Sequence, residues 1–186
     1  MTRVPRGQLD VQKLRDLLDE LVRRLHLRGV SGNIRIIGGA AMALRFPDDP
    51  SIRVTADIDA VYEPRPEVDE VIAELAAERG LEVDWINARG ASWLRVDRPS
   101  GETEGFEVIL ASPEQLIAMK MAAAREQDLH DLRILARNLG IEEPERLVEI
   151  AYEIYGEDSV ELSDPRQSYL WLAQAVLPAA TASSDA

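Results

Sequence analysis

Asp57 and Asp59 frame an Asp-Ile-Asp run, and Gly38 and Gly39 form a glycine pair upstream of it. Alternate residues of a strand point the same way, so this spacing predicts two carboxylates side by side. Carboxylates that close repel each other unless something positive sits between them. A divalent cation answers that need, and Mg²⁺ usually arrives with the phosphates of a nucleotide. The glycine pair suits a sharp turn that brings backbone close to a ligand. At the start of a helix, its N–H groups would favour phosphate. Taken alone, either pair is a weak signal; in succession on neighbouring expected strands they are more specific.

Two further positions extend this chemistry. Glu107 interrupts the apolar run Phe106-Glu-Val-Ile-Leu. An unpaired buried carboxylate is costly, so Glu107 either faces solvent on an edge or has a partner. On a strand next to that of Asp57 and Asp59, it would complete a three-acid ring around a metal; Asp97 is the competing third acid. Lys13 and Lys120 are the only lysines among 21 basic residues, and Lys120 sits in an apolar helical run. Helical spacing sets Lys120, Gln127 and Asp131 on one stripe with Ala124 between, and Arg125 and Asp128 to its sides. Such a lysine is a compact point charge for phosphate oxygens, or one half of a structural bridge to Asp131.

These residues need elements to hold them. Ile34, Ile36 and Ile37 read as a first strand, Ala40 to Leu44 as a short helix and the Asp57/Asp59 segment as a second strand. Before them, Leu9 to Leu25 carry a helical apolar stripe closed by Gly29 and Gly32. The other face of that helix holds Lys13, Arg15, Arg23, Arg24 and Arg28, either an RNA-facing surface or a solvated face paired with Asp16, Asp19 and Glu20. Val68 to Ala76 predict a helix capped by Gly80, and strands are expected at Leu81–Ile86, Trp93–Asp97 and Gly105–Leu110. Ser112, Pro113 and Gln115 form a helix start with a capping box, and that helix reads as continuous to Leu139. Residues 143–156 and 165–177 predict two more amphipathic helices, and the tail from Pro178 reads as disordered.

The chain has 186 residues, 46% hydrophobic and 30% charged, which suits a globular protein of one domain with an appendage. It has no cysteine, so thiolate metal sites and disulfides are excluded, and His26 and His130 are its only histidines. Neither a secretory leader nor a membrane-spanning run is read in it, so a cytoplasmic location is expected. A net charge of −13 speaks against a generic nucleic-acid binder. Residues 1–60 nevertheless hold 10 basic and 8 acidic residues, so a polyanion would meet that third first.

The succession Ile37-Gly38-Gly39, Asp57-Ile58-Asp59 and Phe106-Glu107-Val108 resembles the nucleotidyltransferase superfamily of the DNA polymerase β type. Arg53-x-Thr55-x-Asp57-x-Asp59, and later Pro113-Glu-Gln-Leu-x-x-x-Lys120 with Arg125-x-x-Asp128-x-x-Asp131, look like its AbiEii/MenT-like toxin branch. The likeness covers roughly residues 30–140, and the loop at Pro47–Ser51 reads as an insertion. The resemblance implies an α/β (α+β) fold: a small mixed, mostly antiparallel sheet with packed helices and a helical C-terminal segment. It implies a nucleotidyltransferase domain over 1–140, helices over 141–178 and a tail over 179–186. It also implies Mg²⁺ on Asp57, Asp59 and Glu107, NTP phosphates at Gly38, Gly39 and Lys120, and catalytic roles for Asp57, Asp59, Lys120 and Asp131. The branch further implies a tRNA 3′ end as acceptor and a cognate antitoxin as partner. A non-catalytic nucleotide- or partner-binding module, or a transferase to a small-molecule hydroxyl, are the alternatives.

Overall fold

The computed structural model describes residues 8–53, 55–94 and 105–177. Asp97, the turn at Ser100-Gly101 and the tail from Pro178 lie outside the described residues, as does most of the strand expected from Trp93 to Asp97. Ala91–Trp93 form a short 3-10 turn at its start. The chain forms two compact units, Met1–Ser92 with Asp97–Ala111, and Trp93–Val96 with Ser112–Ala186.

In the first unit, the Asp10 carboxylate caps helix α1 (Val11–Leu27) by accepting from the Lys13 N–H at 2.8 Å. The apolar stripe behaves as its spacing requires: Leu14, Leu17, Leu18, Leu21 and Leu25 are all buried. Each such leucine contributes about 2 kcal/mol of transfer free energy. Strand β1 (Gly32–Ile37) leads straight into α2 (Gly38–Arg45), followed by β2 (Ile58–Glu63), α3 (Arg65–Arg79), β3 (Ile86–Asn87) and β4 (Phe106–Leu110). The sheet order is β3-β2-β1-β4. Alternation puts Ile34, Ile36, Ile58, Ala60 and Tyr62 on one buried face, and α1 and α3 pack on each other and on the sheet.

The sheet is mixed, but it is not mostly antiparallel as expected. Only β1 and β2 run antiparallel; β1–β4 and β2–β3 are parallel. Helix α3 is the physical reason at one edge, because a crossover helix brings the chain back in the same direction. The strand expected over Leu81–Ile86 shrinks to Ile86–Asn87. The Trp85 N–H turns back to the Glu82 carbonyl at 3.2 Å, and the Trp85 indole donates to the Ile72 carbonyl of α3 at 3.1 Å. Burial of Trp85 thus bends the chain where a strand would have begun.

The second unit is helical among its described residues: α4 (Pro113–Ala123), α5 (Asp128–Leu139), α6 (Pro144–Tyr155) and α7 (Arg166–Val176). The Ser112 capping box forms as its sequence predicts: Ser112 Oγ accepts from the Gln115 N–H at 3.1 Å, and Gln115 Oε1 accepts from the Ser112 N–H at 2.9 Å. The helix is not continuous to Leu139. Ala124 adopts a left-handed conformation, φ 47°, and its N–H closes on the Lys120 carbonyl. Helix α4 ends there, and α5 starts four residues after Ala124.

Candidate active site

The glycine pair, Thr55, Asp57 and Asp59 converge at one end of the sheet. Ile37 ends β1 opposite Asp59 on β2, and Gly38 turns the chain into α2 with a φ of +63°. A Cβ on Gly38 would stand 3.0 Å from Asp59 Oδ2. Glycine is therefore needed there twice over, for the backbone angle and for the space the carboxylate occupies. Gly39 faces Thr55, whose hydroxyl donates to the Asp57 carbonyl at 2.8 Å. No side chain caps α2, so its first backbone N–H groups lack the usual side-chain acceptor.

Asp57 is not on the strand. β2 begins at Ile58, and Asp57 sits in the bend before it, so pleat alternation is not what sets the two acids together. Their common neighbour is Asn87. It stands opposite Asp59 in the β2–β3 register, and its amide donates to Asp57 Oδ2 at 3.0 Å. Arg89 also reaches Asp57 Oδ2, at 3.3 Å, and pairs closely with Asp84 on its other side. Gly90 then lays the loop across the sheet: a Cβ there would meet Ile37 Cδ1 at 2.8 Å. Asn87, Arg89 and Gly90 escaped the sequence reading. The signal that points to them is an Asn-x-Arg-Gly run directly after a Trp-Ile pair, with the arginine set among Glu82 and Asp84.

Glu107 does not join this group. It pairs with Asn33 on β1, four residues before the Ile37 that faces Asp59. At strand geometry that is about 13 Å along β1, with β4 and β2 about 10 Å apart across it. Glu107 is exposed, and the position level with Asp59 falls near Ala111, which carries no ligand. Glu107 is therefore not a third acid beside Asp57 and Asp59, and Asp97, the competing third acid, lies outside the described residues. The pair still fits a hard cation. Mg²⁺ keeps several waters and takes phosphate oxygens, so one or two carboxylates are a sufficient protein contribution.

Lys120 and Asp131 meet in the second unit. The Lys120 ammonium donates to Asp131 Oδ2 at 2.6 Å and to Asp128 Oδ1 at 3.2 Å. Asp128 is 2% exposed and Lys120 7%, so this is a buried ion cluster. Arg125 closes it from outside, with Nε 2.7 Å from Asp128 Oδ2. The break at Ala124 builds the cluster. On a continuous helix Asp128 would lie to the side of Lys120; the turn brings both aspartates onto one ammonium. Three of the five cations on the polar face of the first helix have partners: Arg23 pairs with Glu20, Arg24 with Glu20 and Glu78, and Arg28 with Glu74. That part of the face is bound to Glu20 of its own helix and to α3, which favours the paired reading there over an RNA-facing one.

No helix of the described residues is long and apolar enough to cross a membrane. No curated protein and no solved structure matches the chain. A family model does, over residues 12–161, and that span holds the glycine turn, the Asp57/Asp59 pair and the Lys120 cluster. The chain therefore belongs to the family described as nucleotidyltransferase of unknown function (DUF6036).

Proposed function

We propose that this protein transfers a nucleotidyl group from an NTP to an acceptor hydroxyl, with Mg²⁺ held by Asp57 and Asp59. The observation that carries this reading is the convergence of Gly38 under Asp59 and Gly39 against Thr55, which in turn holds Asp57. A bound divalent cation would polarise the acceptor hydroxyl and neutralise charge on the departing pyrophosphate. The N–H groups at the start of α2 favour phosphate, and Gly39 leaves the approach to them open. Lys120, held by Asp131 in the second unit, is proposed to act in transfer as a compact positive charge.

The Arg53-x-Thr55-x-Asp57-x-Asp59 run supports a toxin-like enzyme whose acceptor is the 3′ end of a tRNA and whose partner is a cognate antitoxin. The pairing of Arg23, Arg24 and Arg28 with glutamates favours a second acceptor, a small-molecule hydroxyl, because it offsets charge that an RNA backbone would need. Incubation with NTPs labelled at the α-phosphate, Mg²⁺ and total tRNA separates them. Label in full-length tRNA supports the first reading. Transfer to an aminoglycoside with none to tRNA supports the second.

A further inference from the structure

We infer that Arg89 is a phosphate-binding residue parked on the metal site: it holds the place of a cation at Asp57 and passes to the triphosphate when a metal takes that place. The inference rests on the proposed function and names a group that it leaves out. Three observations carry it. The guanidinium spans two carboxylates, Asp57 Oδ2 at 3.3 Å and the closer Asp84 Oδ2. Its backbone is placed by the same residue that touches Asp57: Asn87 Oδ1 accepts from the Arg89 N–H at 3.0 Å while Asn87 Nδ2 donates to Asp57. The side chain is 56% exposed, so it leaves Asp57 without breaking any packed core.

The electrostatics follow from these positions. Asp57 carries a negative charge that the guanidinium offsets. A divalent cation on Asp57 removes that attraction and repels Arg89. Asp84 still tethers the arginine within a side chain's length of the site. The phosphates that complete the shell of the metal carry the opposite charge, and a planar fork suits two phosphate oxygens better than one carboxylate oxygen. Arg89 thus opposes the bare cation and favours the cation that comes with a nucleotide, which couples metal binding to substrate binding at this end of the sheet.

The test measures binding rather than turnover. Mn²⁺ alone is titrated by electron paramagnetic resonance, and a fluorescent NTP is titrated at saturating Mn²⁺. Wild type is compared with Arg89→Ala, Arg89→Lys and Asp57→Ala, and a thermal melt checks each fold. Arg89→Ala should bind Mn²⁺ alone roughly two- to fivefold more tightly, the range expected for losing an exposed ion-pair competitor. It should bind the NTP on the order of tenfold more weakly, as expected for a lost charge-assisted pair. Arg89→Lys, with its charge kept and its fork removed, should fall between wild type and Arg89→Ala for the NTP, and it stands in if the alanine variant melts early. Wild-type NTP affinity in both Arg89 variants overturns the inference and leaves the proposed function standing. Mn²⁺ and NTP binding that Asp57→Ala does not weaken overturns both.

Discussion

At the level of single residues, the two glycines make opposite demands. Gly38 has a left-handed φ, and a Cβ there would press on Asp59 Oδ2 at 3.0 Å; at Gly39 a Cβ would meet Thr55 Oγ1 and Cβ at an ordinary 3.6 and 3.7 Å. Gly38→Ala should therefore lower stability by about 1–2 kcal/mol and displace Asp59. Gly39→Ala should fold as wild type but bind NTP more weakly, because its methyl narrows the approach to the α2 N–H groups. Urea unfolding and NTP titration on the two variants check this, and an unstable Gly39→Ala would contradict it. Lys120 needs a different comparison. It lies between Asp128 and Asp131 in a buried cluster, so Lys120→Met should cost about 3 kcal/mol whatever its role in transfer. Lys120→Arg keeps the charge and should keep much of the stability. Loss of transfer in that variant supports a role of the ammonium in transfer; wild-type transfer assigns Lys120 to structure alone.

At the level of elements, α1 and α3 are tied by charge as well as by leucines. Hydrogen bonds from Arg23 and Arg24 hold the Glu20 carboxyl down at about 2, against an ordinary 4.5. Arg28 lowers Glu74 in the same way, and Arg24 lowers Glu78. All three groups have folded values below their unfolded ones. Their stabilisation is therefore present above the ordinary 4.5 and is lost as pH falls below it, for Glu20 towards about 2. Arg24→Ala should melt below wild type at about pH 6, and the gap should close by about pH 2.5 as these carboxylates protonate. A gap independent of pH would mean that Arg24 acts through packing alone. The same elements show what was legible in the sequence. The α1 stripe and the Ser112 capping box rest on local spacing, and both formed as read. The break at Ala124 carries no glycine or proline, so no local punctuation announced it. The directions of the strands depend on which pairs with which, and Glu107 lost its place to that register rather than to its own chemistry.

At the level of the molecule, the chain combines a unit built on the sheet with a helical one. The glycine turn and the Asp57/Asp59 pair could be read because each is a short run with its own geometry. The Asn87, Arg89 and Gly90 loop was not read, because its meaning lies in Asp57, thirty residues earlier in the chain. The acidic excess, −13 overall, opposes a polyanion, so the carboxylate pair rather than a basic surface carries the proposed function. The most direct measurement is the transfer of label from an α-phosphate-labelled NTP in the presence of Mg²⁺, by wild type, Asp57→Ala and Asp59→Ala, with melting recorded for each. The account predicts metal-dependent transfer by wild type, none by either variant, and melting free energies within about 1 kcal/mol of wild type. Transfer by a well-folded Asp57→Ala or Asp59→Ala protein at the wild-type rate would contradict it.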